Sequence, residues 1–381
     1  MNRDRWTYKK LGDIAEIVGG STPKTNVEEY WDGDNYWVTP AEIGDSVFVD
    51  KTKRTITESA VKSCHLTLLP IGTVLLSSRA PIGKLGITTV PMYCNQGFKN
   101  IICSDKLHNK YVYYYLGNNV PYIQSLGRGA TFKEISKKIV EEITIPVPPK
   151  ETQIQIASEF DALNVTLTML QQQVKDLNSL IQSIFYDIFG DPITNPKGWS
   201  IKCLSNVGQI ISGSTPSTTD ESNWDGDVNW VTPAELGEQL YYGETVRKLT
   251  VAGAKGLVLM PIGTVLLSSR APIGKLAITT VPMCCNQGFK NIICGDFINN
   301  IFLYYYLKET MDNIKALGRG ATFKEVSKSA LSNYKIALPP LSLQQSFASK
   351  VCTIEEAKVN INSQIAEMQT LLAARMQYWF D

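Results

Sequence analysis

Two stretches of the chain place apolar residues at alternating spacings of four and three positions. The first stretch runs from Ile156 to Ile188, inside a segment, Lys150–Phe189, that contains neither glycine nor proline. This spacing is the a/d pattern of a helix that packs along one narrow seam, and its length predicts a rod of roughly 60 Å. The sequence Gly190-Asp191-Pro192 predicts the end of the helix, because glycine and proline both terminate helices.

The second stretch repeats the seam from Phe347 to Trp379, although Lys358 and Arg375 interrupt it. A narrow apolar seam on a long helix needs a partner, so we expect the two helices to pack against each other in antiparallel directions. Two unrelated amphipathic helices, each packed on its own domain, are the alternative. The predicted seam comprises Phe160, Leu163, Leu167, Leu170, Val174, Leu177, Ile181, Val351, Ile354, Ile361, Ile365, Met368 and Leu372.

Short apolar runs bounded by glycine, proline and serine precede the first predicted helix. Gly72–Leu76 and Asn100–Cys103 are examples, and they predict strands joined by turns. The sequence therefore predicts an α+β chain, in which two similar mixed α/β domains are joined by two long antiparallel helices that form a coiled-coil-like spacer. The predicted boundaries are 1–148 for the first domain, 149–190 for the central helix, 191–339 for the second domain and 340–381 for the C-terminal helix.

A comparison of the chain with itself shows that one unit occurs twice. Pro70–Cys103 and Pro261–Cys294 are both 34 residues long and differ at only two positions. Leu126–Glu134 recurs unchanged, 191 residues later, as Leu317–Glu325. Motifs nearer the start of each copy recur at a shift of 193, so a length change of two residues lies between positions 42 and 70.

The composition is that of an ordinary globular protein, with 44% hydrophobic and 19% charged residues. Long disordered regions are therefore not expected. No apolar run approaches the ~18 residues that a membrane helix needs. The sequence Met1–Trp6 lacks the apolar core of a signal peptide, so we expect a cytoplasmic protein without membrane contact.

Motifs for catalysis and metal binding are absent from the sequence. It contains no G-x-x-x-x-G-K-[ST], no G-x-G-x-x-G, no G-x-S-x-G and no Asn/Asp-Pro-Pro-Tyr/Phe element of the kind that amino-methyltransferases use. The two histidines, His65 and His108, are not repeated in the second copy, and no C-x-x-C occurs among the eight cysteines. We therefore expect this chain to contain no catalytic residue and to bind no metal or cofactor.

The net charge of +1 conceals a local clustering of bases. Pro70–Cys103 contains Arg79, Lys84 and Lys99 but no acidic residue, and the second copy repeats this composition. Basic loops are the expected footprint of contacts to phosphate groups, so the repeated loops predict a nucleic-acid interface. The candidate contact residues in the two copies are Ser21, Thr22, Thr39, Glu42, Ser77, Ser78, Arg79, Lys84, Asn95, Gln96, Lys99, Arg128, Thr131, Lys133, Ser214, Thr215, Thr232, Glu235, Ser268, Ser269, Arg270, Lys275, Asn286, Gln287, Lys290, Arg319, Thr322 and Lys324.

Turn chemistry sharpens this prediction. Thr131-Phe132-Lys133-Glu134 has the capping-box pattern, so we expect a helix to begin there, with free N–H groups that form an anion site beside Arg128. Thr39-Pro40-Ala41-Glu42 is a second capping box, with proline at the first helical position. The amides of Asn95-Gln96 have the donor and acceptor groups that pair with adenine in the major groove.

The repeated motifs and the order domain, long helix, domain, long helix resemble the specificity subunit of Type I restriction–modification systems. The resemblance covers the full chain. It rests on GGSTP (Gly19–Pro23), VTPAE (Val38–Glu42), SSRAPIG (Ser77–Gly83), NQGFK (Asn95–Lys99) and GRGATFKEIS (Gly127–Ser136), each with its second copy.

This resemblance implies that the two domains are target-recognition domains, each of which reads one half of a bipartite site in double-stranded DNA. The helices are then expected to set the spacer and to bind two modification subunits, with restriction subunits in the full complex. It implies a non-catalytic chain, whose partner subunits use S-adenosylmethionine, ATP and Mg²⁺ and methylate adenine at N6. Members of this family often carry dissimilar domains, whereas these loops are close copies. We therefore expect a near-palindromic site, with the divergent segments 45–69 and 237–260 as the source of any difference between the halves.

Two other classes of protein remain open on the sequence alone. A bivalent carbohydrate- or peptide-binding protein is one, because Trp31, Tyr36 and Trp37 with Asp32 and Asp34 have the composition of an aromatic cleft with an acidic rim. A self-contained nuclease or methylase with an unrecognised site is the other. Glycan binding without salt-dependent DNA binding would indicate the carbohydrate-binding protein. Activity of the isolated chain on DNA would indicate the nuclease or methylase.

Overall fold

A computed structural model describes residues 6–44, 46–128, 133–270, 272–318 and 324–380. The chain forms two compact units, the first comprising residues 1–171 and 364–381 and the second comprising residues 172–363. The boundaries between the units fall inside the two long helices. Each long helix therefore contributes one half to each unit.

The described residues of the first unit form ten strands, five short α-helices and two 3-10 helices (Glu28–Tyr30 and Pro40–Glu42) ahead of the long helix. The strands are β1 (Thr7–Lys10), β2 (Ala15–Gly19), β3 (Trp31–Val38), β4 (Phe48–Val49), β5 (Arg54–Ile56), β6 (Val74–Leu76), β7 (Leu85–Thr88), β8 (Tyr93–Cys94), β9 (Lys99–Cys103) and β10 (Thr144–Val147). The helices are α1 (Leu11–Ile14), α2 (Glu58–Ser63), α3 (Asn109–Asn118), α4 (Val120–Ser125), α5 (Lys137–Glu141) and the long helix α6 (Lys150–Phe189).

The strands of the first unit form three sheets. A five-stranded sheet has the order β2-β9-β6-β7-β4, a three-stranded sheet has the order β5-β3-β8, and β1 pairs with β10. In β6, Val74 and Leu76 enter one hydrophobic core and Leu75 enters another, because successive side chains of a strand point to opposite faces. This burial on both faces explains why the sequence of β6 is continuously apolar.

The second unit repeats this arrangement. Its strands are β11 (Ser200–Cys203), β12 (Gly208–Ser212), β13 (Trp224–Val231), β14 (Tyr241–Tyr242), β15 (Arg247–Leu249), β16 (Val265–Leu267), β17 (Leu276–Thr279), β18 (Met283–Cys285), β19 (Lys290–Cys294) and β20 (Lys335–Leu338). Its helices are α7 (Asn300–Glu309), α8 (Met311–Ala316), α9 (Lys328–Ser332) and the long helix α10 (Leu341–Phe380). The sheet orders β12-β19-β16-β17-β14, β15-β13-β18 and β11-β20 match those of the first unit.

The predicted length change of two residues lies immediately after β5 and β15. The first unit forms helix α2 there, whereas the second unit forms turns over residues 251–256. The registers of β3 with β5 and of β13 with β15 are the same, because Trp37 pairs with Arg54 and Trp230 pairs with Arg247. The two copies thus keep the sheet and differ in the connection that follows it.

The long helices pack together, as the apolar seam predicts. In the first unit the rings of Phe160 and Phe380 stack at 5.6 Å, and in the second unit Phe185 and Phe347 meet edge-on at 5.6 Å. The first half of α6 therefore lies beside the second half of α10, and the second half of α6 lies beside the first half of α10, which makes the pair antiparallel. Helix α6 ends at Phe189, and Gly190 follows with a positive φ of 76° that suits a helix end.

The predicted seam residues are all buried or half-buried, from Phe160 to Ile181 on α6 and from Val351 to Leu372 on α10. The two charged residues that interrupt the second seam both have partners. Lys358 Nζ lies 2.7 Å from the carboxylate of Glu355, and Arg375 binds the carboxylate of Glu159.

Candidate nucleic-acid interface

The loop after β6 is closed by the hydroxyl group of Ser77. Ser77 Oγ donates to the carbonyl oxygen of Pro81 at 2.7 Å and accepts from the backbone N–H of Lys84 at 2.8 Å. Ser268 repeats both hydrogen bonds in the second unit. These bonds bend the chain so that the arginine after the two serines stands at the surface.

The structure corrects the prediction that the serines of this loop contact nucleic acid directly. The four side chains have no exposed surface, because the fold packs over them and uses their hydroxyl groups internally. These serines shape the loop instead. They are Ser77, Ser78, Ser268 and Ser269.

Arg79 projects from this loop and meets a carboxylate from a distant segment. Arg79 Nε donates to Glu134 Oε2 at 3.0 Å, and Lys99 Nζ lies 3.4 Å from Glu134 Oε1. The backbones pair as well, since Arg79 and Glu134 form an antiparallel bridge and Ile135 N–H donates to Ser78 O at 3.0 Å. The Arg79 side chain is 50% exposed, whereas that of Lys99 is 14% exposed. The carboxylate thus lies between one half-buried and one exposed cation.

The second unit contains the same trio of charges. Arg270 Nε lies 3.0 Å from Glu325 Oε2, and Lys290 Nζ lies 3.1 Å from Glu325 Oε1. Burial alone raises the pKa of Glu325, but the hydrogen bonds from Lys290 and Arg270 outweigh it and hold the pKa below its ordinary value of 4.5. The basic loops are therefore less positive than their own sequences indicate, because each receives a carboxylate from elsewhere in the chain.

Of the predicted capping box Thr131–Glu134, the described residues Lys133 and Glu134 are not helical; Thr131 and Phe132 lie outside the described residues, so the anion site there stays a prediction. Glu134 lies in the bridge with Arg79, and α5 begins at Lys137 after Ser136 as its N-cap residue. The Glu134 carboxylate binds two cations from distant segments, Arg79 and Lys99.

The basic side chains on either side of this segment are exposed. The backbone of Arg128 exchanges hydrogen bonds of 3.1 and 3.0 Å with Glu134, which leaves the Arg128 side chain at the surface. Lys133 and its copy Lys324 are also exposed. Three further candidate residues of this motif lie outside the described residues, namely Thr131, Arg319 and Thr322.

A groove of about 790 Å³ lies beside this segment in the first unit. Its apolar floor includes Leu126, Ile139 and Ile143. Four of its lining side chains are basic and two are acidic, which gives the groove a positive character that suits a phosphate backbone. These six residues are Lys99, Arg128, Lys137, Lys138, Glu134 and Glu142.

The other predicted capping box is present. Thr39 donates to Glu42 Oε2 from its backbone N–H at 2.9 Å and from its hydroxyl at 2.6 Å, and Pro40 begins the short 3-10 helix that follows. Thr232 makes the same two hydrogen bonds to Glu235 in the second unit. All four polar side chains hold turns of the protein itself, so a contact to nucleic acid stays a prediction for them.

The loop that contains Thr22 lies against the loop that contains Gln96. Thr22 Oγ1 donates to Gln96 Oε1, and Thr215 Oγ1 donates to Gln287 Oε1 at 2.6 Å. Both glutamines are exposed. The amide oxygens of both residues accept a hydrogen bond within the protein, but Asn95 is half-buried and Gln96 is exposed, so Gln96 is the better placed of the two to read a base edge.

Sequence reasoning missed two arginines that lie flat on tryptophan rings. The guanidinium carbon of Arg54 is 3.4 Å from the ring centroid of Trp31, and that of Arg247 is 3.5 Å from that of Trp224. Both arginines are exposed. Arg54 and Arg247 occupy equivalent positions, 193 residues apart, inside segments that otherwise differ between the two copies. This recurrence is the signal in the sequence that could have identified them.

The same tryptophans argue against the alternative of a carbohydrate-binding cleft. Trp31 and Trp37 are only 7% and 4% exposed, and their rings pack edge-on at 5.1 Å. Trp37 Nε1 donates to Ser21 O at 3.1 Å, which ties the ring to the loop above it. No open aromatic face remains at this pair for a sugar to stack on.

The repeated cysteines are strand residues, as predicted; Cys94 and Cys285 are buried, and Cys103 and Cys294 are half-buried. Burial raises the pKa of Cys94, Cys103, Cys285 and Cys294 to about 12, so these thiols are protonated at neutral pH and are poor nucleophiles and metal ligands. Over the described ranges, no group of three or more His, Cys, Asp or Glu side chains is placed to hold a metal ion. In the same part of the chain, no helix combines the length and the apolar character needed to cross a membrane.

Comparisons with known proteins agree with this arrangement. The family model for the Type I restriction modification DNA specificity domain matches residues 3–178 and again residues 196–368. The MjaIX specificity subunit of Methanocaldococcus jannaschii, from a Type I restriction enzyme, is 29% identical over 396 residues, which cover 96% of this chain and 90% of that protein.

Two solved structures share the fold. A chain from a structure on complex assembly and conformational transition of the type I R-M system has a TM-score of 0.64 at 18% identity, over 98% of this chain and 97% of the other. The Type-I restriction-modification system S subunit from M. genitalium has a TM-score of 0.58 at 15% identity, over 98% and 95%. The family match covers most of both copies, and the chain therefore belongs to the family of Type I restriction modification DNA specificity domains.

Proposed function

We propose that this chain is the DNA-specificity subunit of a Type I restriction–modification complex and that each unit reads one half of a bipartite site. The observation that carries this proposal is the pair of matched charge trios, built on Arg79 in one unit and Arg270 in the other. The relative from Methanocaldococcus jannaschii is itself named a specificity subunit. The chain supplies recognition, and the chemistry on DNA belongs to its partners.

Basic residues of the repeated loops contact DNA phosphate groups or the edges of nucleobases in this proposal. Positive groups that meet phosphates release counterions, so binding weakens steeply with salt. Gln96 and its copy Gln287 are exposed, and with their hydrogen-bond partners Thr22 and Thr215 they are proposed to contribute to base reading. The basic residues assigned to this role are Arg79, Arg128, Lys133, Arg270, Arg319 and Lys324.

The two half-sites are proposed to be similar, so that the complete target is near-palindromic. The loops that carry the candidate residues are almost identical in the two copies. The connections after β5 and β15 differ, because one unit forms α2 and the other forms turns. Any difference between the half-sites is therefore expected to arise from these connections.

The long helices are proposed to set the spacer and to bind two modification subunits, with restriction subunits in the full complex. Apolar side chains exposed on the helices support a protein partner: Val165 is 52% exposed, Met169 is 62% exposed and Val359 is 67% exposed. S-adenosylmethionine, ATP and Mg²⁺ are proposed to bind the partner subunits. A cytoplasmic location follows from this proposal, since the ligand is cellular DNA.

Co-expression with the modification subunit tests the proposal. We expect the two proteins to purify together and to methylate adenine in a bipartite sequence, which methylation-aware sequencing of the host DNA identifies. Two half-sites unrelated by inversion contradict the near-palindromic target, and the absence of any methylated bipartite site contradicts the assigned function. A double variant, Val165→Glu with Met169→Glu, is expected to lose the modification subunit, whereas Gln173→Glu at an exposed polar position is expected to retain it.

A further inference from the structure

Among the described residues, Arg79 is held along one edge of its guanidinium group only. Its hydrogen bond to Glu134 uses Nε, at 3.0 Å. Arg270 contacts Glu325 through Nε as well, also at 3.0 Å. Arg375 behaves differently, because it uses both Nε and Nη2 on one carboxylate. A guanidinium group is planar, so a carboxylate at Nε fixes its plane and leaves the outer edge with the two terminal nitrogens available for a second bidentate contact.

The charges of the trio favour an anion at that outer edge. Lys99 Nζ and Lys290 Nζ lie 3.4 and 3.1 Å from the far oxygen of the same carboxylates. These lysines are 14% and 8% exposed, so they balance the carboxylate from the protein side. Each trio therefore carries a net charge of one positive unit, and the exposed member of the trio is the arginine.

The backbone that carries the carboxylate is fixed at the glutamate itself and at the residue that follows it. Glu134 forms a β-bridge with Arg79, and Ile135 N–H donates to the carbonyl oxygen of the buried Ser78. Glu325 forms the corresponding bridge with Arg270, and Val326 N–H donates to Ser269 O at 2.9 Å. A carboxylate anchored in this way orients a flexible arginine before any ligand arrives, which lowers the entropy cost of binding.

We propose that Glu134 and Glu325 are positioning residues that orient Arg79 and Arg270 for bidentate contact with DNA phosphate groups. This inference rests on the proposed function. The competing interpretation is that each glutamate only neutralises its arginine and that DNA must displace it. The two interpretations predict opposite signs for the coupling between the glutamate and the arginine.

A double-mutant cycle on the full chain measures that sign. Arg79→Ala, Glu134→Gln, the double variant and the wild type are titrated against a short mixed-sequence duplex by fluorescence anisotropy, between about 50 and 200 mM NaCl. The salt slope is the slope of log K for DNA binding against the logarithm of the salt concentration. If Glu134 positions Arg79, each single variant lowers the magnitude of this slope by about one, and the double variant loses little more affinity than either single variant. If Glu134 only neutralises Arg79, then Glu134→Gln binds more tightly and Arg79→Ala costs more in that background, and this result overturns the inference.

Two further variants keep the result interpretable. Glu134→Asp keeps the charge but shortens the reach, so it is expected to behave like Glu134→Gln, and wild-type binding by Glu134→Asp overturns the positioning role. Asp312→Asn removes one negative charge at a side chain that is 98% exposed, and it is expected to bind like the wild type. The same cycle on Arg270 and Glu325 repeats the test in the second unit, and thermal unfolding confirms that each variant is folded. A wild-type chain without salt-dependent binding overturns the proposed function itself, and this inference with it.

Discussion

Arg375 near the end of α10 and Glu159 near the start of α6 form a bidentate ion pair in the first unit. Arg375 Nη2 donates to Glu159 Oε2 at 3.0 Å while Nε binds the other oxygen, and Trp379 Nε1 donates to the same carboxylate at 2.9 Å. At the repeat spacing of 191, the equivalent positions of the second copy hold Ile184 and Lys350, which cannot form this pair. The two units have thus diverged in this contact between the long helices.

We expect Arg375→Met to destabilise the first unit. The substitution keeps the apolar stem but leaves a half-buried carboxylate with one partner fewer, which costs about 1–3 kcal/mol. Urea unfolding of the full chain, followed by tryptophan fluorescence, measures the loss. Adding Glu159→Gln removes the unpaired charge, so the double variant is expected to recover part of the stability; equal stability of wild type and Arg375→Met contradicts the role of the pair.

Stability of the first unit should fall in acid because of the same pair. The hydrogen bond from Arg375 lowers the pKa of Glu159 more than burial raises it, so the folded state holds this carboxylate ionised below its ordinary pKa of 4.5. A lowered pKa in the folded state means that the stabilisation is fully present above that ordinary value and is lost as the pH falls through the folded-state value. Thermal unfolding at a series of pH values is expected to show a shallower acid loss for Glu159→Gln than for the wild type.

The helices and the two units could be predicted from the sequence because their signals are local or repeated. The seam from Ile156 to Ile188 and the stop at Gly190 are read from neighbouring residues, and the duplication is visible by comparison within the chain. The charge trios could not be predicted in this way. Glu134 is 55 residues from Arg79 and 35 residues from Lys99, and no local pattern links them.

Local reasoning also failed where one pattern fits two outcomes. Thr131–Glu134 satisfies the capping-box pattern, but Glu134 lies in a β-bridge with Arg79 and its carboxylate binds the distant cations Arg79 and Lys99. Ser77 lies in a segment whose composition is typical of an exposed polar loop, but its hydroxyl group forms hydrogen bonds to the backbone of Pro81 and Lys84 inside that loop. In both cases a long-range or internal hydrogen bond decides the role of a side chain whose type alone is compatible with either.

Ser77→Ala is expected to change stability but not the electrostatics of DNA binding. The substitution removes both hydrogen bonds of the hydroxyl group and leaves the buried N–H of Lys84 without that acceptor, at a cost of about 1–3 kcal/mol. Thermal unfolding measures the loss, and Ser268→Ala is the matched variant of the second unit. The salt slope of the folded protein should equal that of the wild type, because a neutral hydroxyl group releases no counterion; weaker binding of the folded variant at an unchanged slope indicates instead a direct contact to DNA.

Arg54→Ala tests whether the arginine on Trp31 serves the fold or the ligand. Loss of the stacked cation at this exposed site is expected to cost about 0.5–1 kcal/mol of stability. If Arg54 also contacts phosphate, the salt slope falls by about one in addition. Arg54→Lys keeps the charge without the flat guanidinium group, so it separates the two effects when unfolding and binding are measured on the same samples.

Arg128→Ala distinguishes a phosphate contact from a base contact at the edge of the basic groove. A phosphate contact predicts weaker binding to every duplex alike and a salt slope lower by about one, because one fewer counterion is released. A base contact predicts instead a loss of about 1–3 kcal/mol that depends on one position of the target, measured on duplexes substituted base by base within the methylated site. Lys202→Ala, which removes one positive charge from an exposed position on β11, is the control for a general electrostatic effect. Unchanged affinity of Arg128→Ala for both the target and a mixed-sequence duplex rules out both roles and moves the interface away from this segment.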